Sequence, residues 1–153
     1  MAAKDRTLYV LKYLWENSDE EHPATVSDIL SALASEDIKV ERHALMSDIE
    51  QLTEFGIDIV CVKSSPNKYF IGQRTFELPE LKLLVNAVES SRFISAAQSG
   101  RLVGKLCGMA STHQAAELNR HLYIDRTVKS DCKTLYYTVK KVYGYEDTRS
   151  KTK

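Results

Sequence analysis

The chain has 153 residues, 43% of them apolar, enough for one compact domain or two small ones. Its formal net charge is +0, so no global field draws it to nucleic acid or to an acidic lipid surface. Cys61, Cys107 and Cys132 lie far apart with no CxxC pair, which argues against a zinc knuckle or disulfide framework and for reduced thiols in a cytoplasmic protein.

The zero balance conceals an asymmetry. Residues 1–74 hold 8 Lys/Arg against 13 Asp/Glu, and residues 75–153 hold 13 against 8, so the halves carry −5 and +5. The charged residues 4–6 precede an amphipathic segment, which does not read as a signal peptide. No apolar run approaches the roughly 20 residues that a membrane span needs.

In chain order, Leu8, Leu11, Leu14 and Trp15 recur at three- and four-residue spacing and predict a helix over residues 5–16. Residues 17–23 are acidic and polar and read as a loop. A second helix opens at Thr25 or Val26, where Asp28 completes a capping-box spacing, and Ile29, Leu30 and Leu33 face inward. It fades at residues 35–37, and residues 38–40 turn the chain. A third helix over residues 41–55 carries Leu45, Ile49 and Leu52 toward the core and stops at Gly56. Residues 57–62, mostly β-branched, predict a strand in which Cys61 packs as a small apolar residue. Residues 64–67 are turn formers, and Tyr69, Phe70 and Ile71 form a return strand.

Pro79 suits the first turn of a fourth helix, with Leu81, Leu84, Val85 and Val88 as its apolar stripe. Ser95 and Gln98 have capping-box spacing before a helix holding Leu102, Val103, Leu106 and Met109. Gly100, Gly104 and Gly108 sit four apart there, marking either close helix approach or a weak helix. A short helix at 114–119, a strand-like piece at 121–124, a strand at 133–143 and a polar, unstructured end complete the reading.

Two short helices, a glycine stop and a two-stranded ribbon are the outline of a winged helix-turn-helix. The segments "LKYLWENSDEEHPATVSDIL", "IKVERHALMSDIEQLTEFGIDIV" and "PNKYFIG" resemble the N-terminal half of WYL-domain transcriptional regulators. "RTFELPELKLLVNAVESSRFIS" and "LNRHLYIDRTVKSD" are similar to the region that follows in that family, so the resemblance spans residues 5–137. It implies a bacterial, dimeric repressor or activator with a C-terminal sensor. Trp15 is the only tryptophan, so the family's Trp-Tyr-Leu signature is absent and the sensor is expected to be missing or truncated. In place of the family motif R-K-T-x-Y-R-D-I stand Arg42, His43, Ala44, Met46, Ser47, Asp48 and Ile49, so the threonine, tyrosine and arginine positions differ.

On the third helix, Arg42, His43, Met46 and Ser47 lie opposite the core face. They are candidates for base-edge and phosphate contacts, with Arg42 able to pair with guanine O6 and N7. The plainer alternative is a solvated helix face, and Asp48 and Glu50 stand nearby as phosphate-repelling charges. On the wing, residues 59–71, the candidates are Lys63, Ser65, Asn67 and Lys68, with Ser64 beside them; the alternative is a tip that is polar because it is exposed. Lys4 and Arg6 could touch the DNA backbone. The four histidines are too scattered for a metal site, no catalytic motif is present, and no cofactor is indicated.

The sequence therefore predicts an α+β, mainly α protein: a winged helix-turn-helix domain over residues 1–74, a helical linker and dimerisation region over 75–128, and a truncated sensor start with a tail over 129–153. The function predicted is transcriptional regulation on double-stranded DNA by a homodimer, with neither enzyme activity nor membrane association. The alternative is a winged-helix protein-interaction module that has lost DNA binding. RNA binding is disfavoured for want of an aromatic stacking platform.

Overall fold

The computed structural model describes residues 3–122. Helix α1 (Ala3–Asn17) is followed by a two-residue strand β1 (Ala24–Thr25), helices α2 (Val26–Ser35) and α3 (Arg42–Glu54), and strands β2 (Ile59–Val62) and β3 (Lys68–Ile71). Three further helices follow: α4 (Leu78–Ser90), α5 (Ala96–Cys107) and α6 (Thr112–Leu122). Among the described residues the fold is α+β and mainly helical, with one three-stranded antiparallel sheet of order β1-β3-β2.

Local chemistry explains most boundaries. The Thr25 hydroxyl accepts from the Asp28 amide while the Asp28 carboxylate accepts from the Thr25 amide at 2.8 Å, a reciprocal cap that starts α2. The same device, with Ser95 and Gln98, starts α5. Gly56 takes φ +104°, a left-handed conformation that ends α3 and turns the chain into β2. The hairpin tip is closed by side chains: the Ser64 hydroxyl donates to the Pro66 carbonyl at 2.6 Å, and Asn67 Oδ1 accepts from the Ser64 amide at 3.3 Å.

Strand β1 is a finding against the expected two-stranded ribbon. It pairs Ala24 with Tyr69 and Thr25 with Lys68, and two residues are too few to show periodicity. Cys61 is also corrected: it is exposed rather than packed, because it lies on the edge strand β2, whose second half runs out beyond the core. The strand-like piece expected at 121–124 is helical at residues 121–122, the end of α6; residues 123–124, the strand at 133–143, Cys132 and the 129–153 unit lie outside the described residues.

Two apolar clusters form. The first joins Val10 and Leu14 of α1, Ile29 and Leu33 of α2, Leu45, Ile49 and Leu52 of α3, and Tyr69 and Ile71 of β3. The second joins Leu81 and Val85 of α4, Val103 and Cys107 of α5, and Ala110 with Leu118 of α6. The apolar stripe of α4 thus turns inward at Leu81 and Val85 and leaves Leu84 exposed. Its buried members serve the protein's own second core, while Leu83, 71% exposed, points outward.

Gly100 and Gly104 do not mark a close approach, since a Cβ at either would meet nothing within 4 Å among the described residues. Gly100→Ala and Gly104→Ala should each stabilise the protein by about 0.5–1 kcal/mol, read by urea denaturation. Gly72→Ala should do the opposite, because its Cβ would lie 2.5 Å from Asp58 Oδ2 and 2.7 Å from Val60 Cγ2.

Candidate nucleic-acid interface

Helix α3 owes its seat to a buried carboxylate. Asp48 is 1% exposed and faces α1, not solvent. Arg6 donates to it twice, Nε to Oδ2 at 2.5 Å and Nη2 to Oδ1 at 2.8 Å, and the Thr7 hydroxyl donates to Oδ1 at 3.0 Å. A charge so placed persists only with such partners. Two expectations are corrected together: Asp48 does not confront phosphate, and Arg6 is committed to Asp48 rather than to DNA. The Asp48 contact raises the Arg6 pKa further, so this guanidinium stays charged.

With Asp48 turned inward, α3 exposes Arg42 and His43 in its first turn and Ser47 one turn on. Ser47 Oγ accepts from Gln51 Nε2 at 3.4 Å. Met46 is half-buried, and its sulfur accepts from the Tyr69 hydroxyl at 3.6 Å, so it anchors α3 to β3 as much as it faces outward. Arg42 lies close enough to that hydroxyl to favour its ionised form, although burial holds the Tyr69 pKa up overall. Glu50 and Glu54 follow His43 at seven and eleven residues, on the same exposed stripe. The outer face of α3 is therefore basic at its start and acidic toward its end.

The hairpin brings its polar residues to one tip. Lys63, Ser65 and Asn67 are exposed, and Lys68 is half-buried at the base of β3. Lys68 sits opposite Thr25, and its charge helps to hold the Asp28 carboxyl below the usual carboxylate range, after the Thr25 hydrogen bonds that contribute most. The cations thus lie on α3's first turn and on the hairpin, both attached to β3.

A second cluster, which sequence reasoning missed, joins the two cores. The Arg74 guanidinium stacks 5.0 Å from the Trp15 ring centroid and donates through Nη2 to the Trp15 and Ser18 carbonyls at 2.6 and 2.8 Å. Burial lowers the Arg74 pKa and Asp19 acts against that fall. Asp19, 2% exposed, accepts from the Ser111 hydroxyl and from the Glu21 and His22 amides. Burial works to raise the Asp19 pKa, but the hydrogen bonds from Ser111 and His22 outweigh it, and the carboxyl is held low. The His22 ring, its Nδ1 3.0 Å from Asp19 Oδ1, stacks on His113 with centroids 4.1 Å apart. No local signal could reveal these pairs, whose partners stand as far as 92 residues apart.

Among the described residues no group of three or more His, Cys, Asp or Glu side chains is placed to hold a metal ion. No helix among them is long and apolar enough to cross a membrane. Comparison with protein-family models, curated proteins and solved structures finds no match to this chain.

Arg6→Ala should destabilise the fold by about 3 kcal/mol in chemical denaturation, because Asp48 would stay buried without its cation. Asp19 and Asp28 have folded pKa values below the unfolded value of about 3.9. Their stabilisation is complete above that pH and is lost as pH falls through the lower folded values. Denaturation midpoints measured below roughly pH 4 should therefore fall in the wild type and fall less in Thr25→Ala, which lacks the Asp28 cap.

Proposed function

We propose that this chain is a winged helix-turn-helix DNA-binding regulator of the WYL type, acting in the cytoplasm as a homodimer. In this reading α3 is the recognition helix and the β2–β3 hairpin is the wing. The supporting observation is the union of basic groups on two elements that share β3: Arg42 and His43 open α3, and Lys63 and Lys68 flank the hairpin. Helix α3 is held against α1 by the Arg6–Asp48 pair, so its outer face is set before any partner arrives. Arg42 and His43 would enter the major groove with Ser47, and Met46 would contribute from its half-buried position. Lys63, Ser65, Asn67 and Lys68 would contact phosphates.

The acidic end of α3 limits this contact to the first turns. Binding is therefore weak and governed by few phosphate neutralisations. The homodimer would use the outer side of the helical region, where Leu83 is 71% and Phe93 64% exposed. A second reading, a protein-interaction module, is favoured by a different observation: Leu8 is 63% and Phe55 84% exposed on the first unit, Phe55 directly after Glu54 of the acidic stripe.

Fluorescence anisotropy with a random-sequence duplex, titrated from low to physiological salt, separates the two. Under the DNA reading affinity falls with salt, and Arg42→Ala and Lys68→Ala each flatten the log–log slope by about 0.9. Glu50→Gln should tighten binding by removing a like charge. Absence of binding at low salt would leave the interaction module as the function. Leu83→Asp should lower the mass seen by light scattering if the helical region dimerises.

A further inference from the structure

The outer side of α1 and the turn after α3 bound an apolar groove of about 260 Å³. Leu8, Leu11 and Trp15 of α1 wall it together with Ile57, and Lys12 and Glu16 complete its lining. Leu11, Trp15 and Ile57 are half-buried against the first core, whereas Leu8 stands in solvent. Phe55, two residues before Ile57, is more exposed still. Apolar surface gathered in this way marks a contact. Neither the proposed DNA interface nor the proposed dimer face uses it.

The chain itself carries a matching segment. Residues 123–153, which follow α6, hold 8 Lys/Arg against 4 Asp/Glu, so nearly all of the second half's +5 lies in them, and the first unit carries −5. Within them, residues 133–143 combine Leu135, Tyr136, Tyr137, Val139, Val142 and Tyr143 with three lysines and no acid. An apolar, cationic segment complements an apolar groove on an acidic unit. The segment is also within reach. Helix α6 starts beside the end of α1, where the Ser111 hydroxyl donates to Asp19, and α6 spans about 16 Å. The residues between Leu122 and Lys133 extend up to about 35 Å, whereas α1 is only about 22 Å long.

We propose that residues 133–143 of the same chain dock in this groove. Leu135, Tyr137 and Val139, which share one face of the strand expected there, cover Leu8, Leu11, Trp15 and Ile57. Lys140 and Lys141 are drawn to the exposed carboxylates of Glu16 and Glu54. The contact ties the end of the chain to the first unit and takes Leu8 out of reach of any other protein.

Trp15 is the chain's only tryptophan and lines the groove, so acrylamide quenching of the full chain, without DNA, reads whether the groove is covered. A chain carrying Leu135→Ser, Tyr137→Ser and Val139→Ser should be quenched more strongly than the wild type, with unchanged helical circular dichroism. Leu8→Glu, at an exposed position, should lower the ratio of docked to free segment by about tenfold or more and raise quenching in step. A second measurement fixes the occupant. In a Leu8→Cys, Cys61→Ser chain, a short bis-maleimide should join the introduced thiol to Cys132 at monomer mass. The same link at dimer mass alone, or a link between two introduced thiols, assigns the groove to a second copy and overturns the proposal. Failure of the introduced thiol to reach Cys132 overturns it too, as does equal quenching of the wild type and the triple variant. With no DNA in the assay, each result stands whatever becomes of the DNA-binding reading.

Discussion

The bidentate contact between Arg6 and Asp48 sets the geometry on which the first unit depends. A carboxylate 1% exposed between two helices has no solvent to fall back on, so the helices must meet where the guanidinium can reach it. Leu45, Ile49 and Leu52 would bury their side chains against many neighbouring surfaces, because apolar contact is non-directional. The ion pair adds direction. It fixes the rotation of α3 about its own axis, and that rotation decides which residues face outward: Arg42, His43 and Ser47 do, and Asp48 does not.

The two cores are joined by polar contacts rather than by a continuous apolar seam. Arg74 reaches back from the segment before α4 to the C-terminal end of α1, and Asp19 reaches from the loop after α1 to Ser111 at the start of α6. Hydrogen bonds of this kind demand particular distances, so they define one mutual orientation of the units where apolar packing would permit several. The carboxylate of Asp19 and the His22–His113 stack beside it stand at the point where the units meet.

Electrostatics shapes the functional reading more than composition does. The chain is neutral, and its first half is acidic. The proposed DNA reading rests on where the charges stand rather than on their sum. One acid is sealed inside with its cation, another caps α2 and is met by Lys68, and Arg42 and Lys63 stand on elements next to β3. The same sorting leaves Glu50 and Glu54 outward on α3, where under the proposed function they would repel phosphate. Counting charges over residues 1–74 cannot distinguish these cases.

The order of helices, the capping of α2 and α5 and the stop at Gly56 were legible in the sequence, because periodicity and caps are encoded within a few neighbouring residues. The short strand β1 was not, since its strand identity comes only from pairing with Tyr69 and Lys68. Met46 was read as an outward contact, whereas its tie to Tyr69 appears only once β3 lies against α3. The α4 stripe was legible as an apolar face, but that Leu81 and Val85 belong to a core was decided by their partners on α5 and α6. By itself, then, the sequence determined the helical elements, their inward faces and the candidate cations, all of which follow from local spacing and backbone chemistry. Only the tertiary structure decided which charges remain available, because Arg6, Asp48, Asp19 and Arg74 are claimed by partners distant in the chain, and burial makes those claims binding.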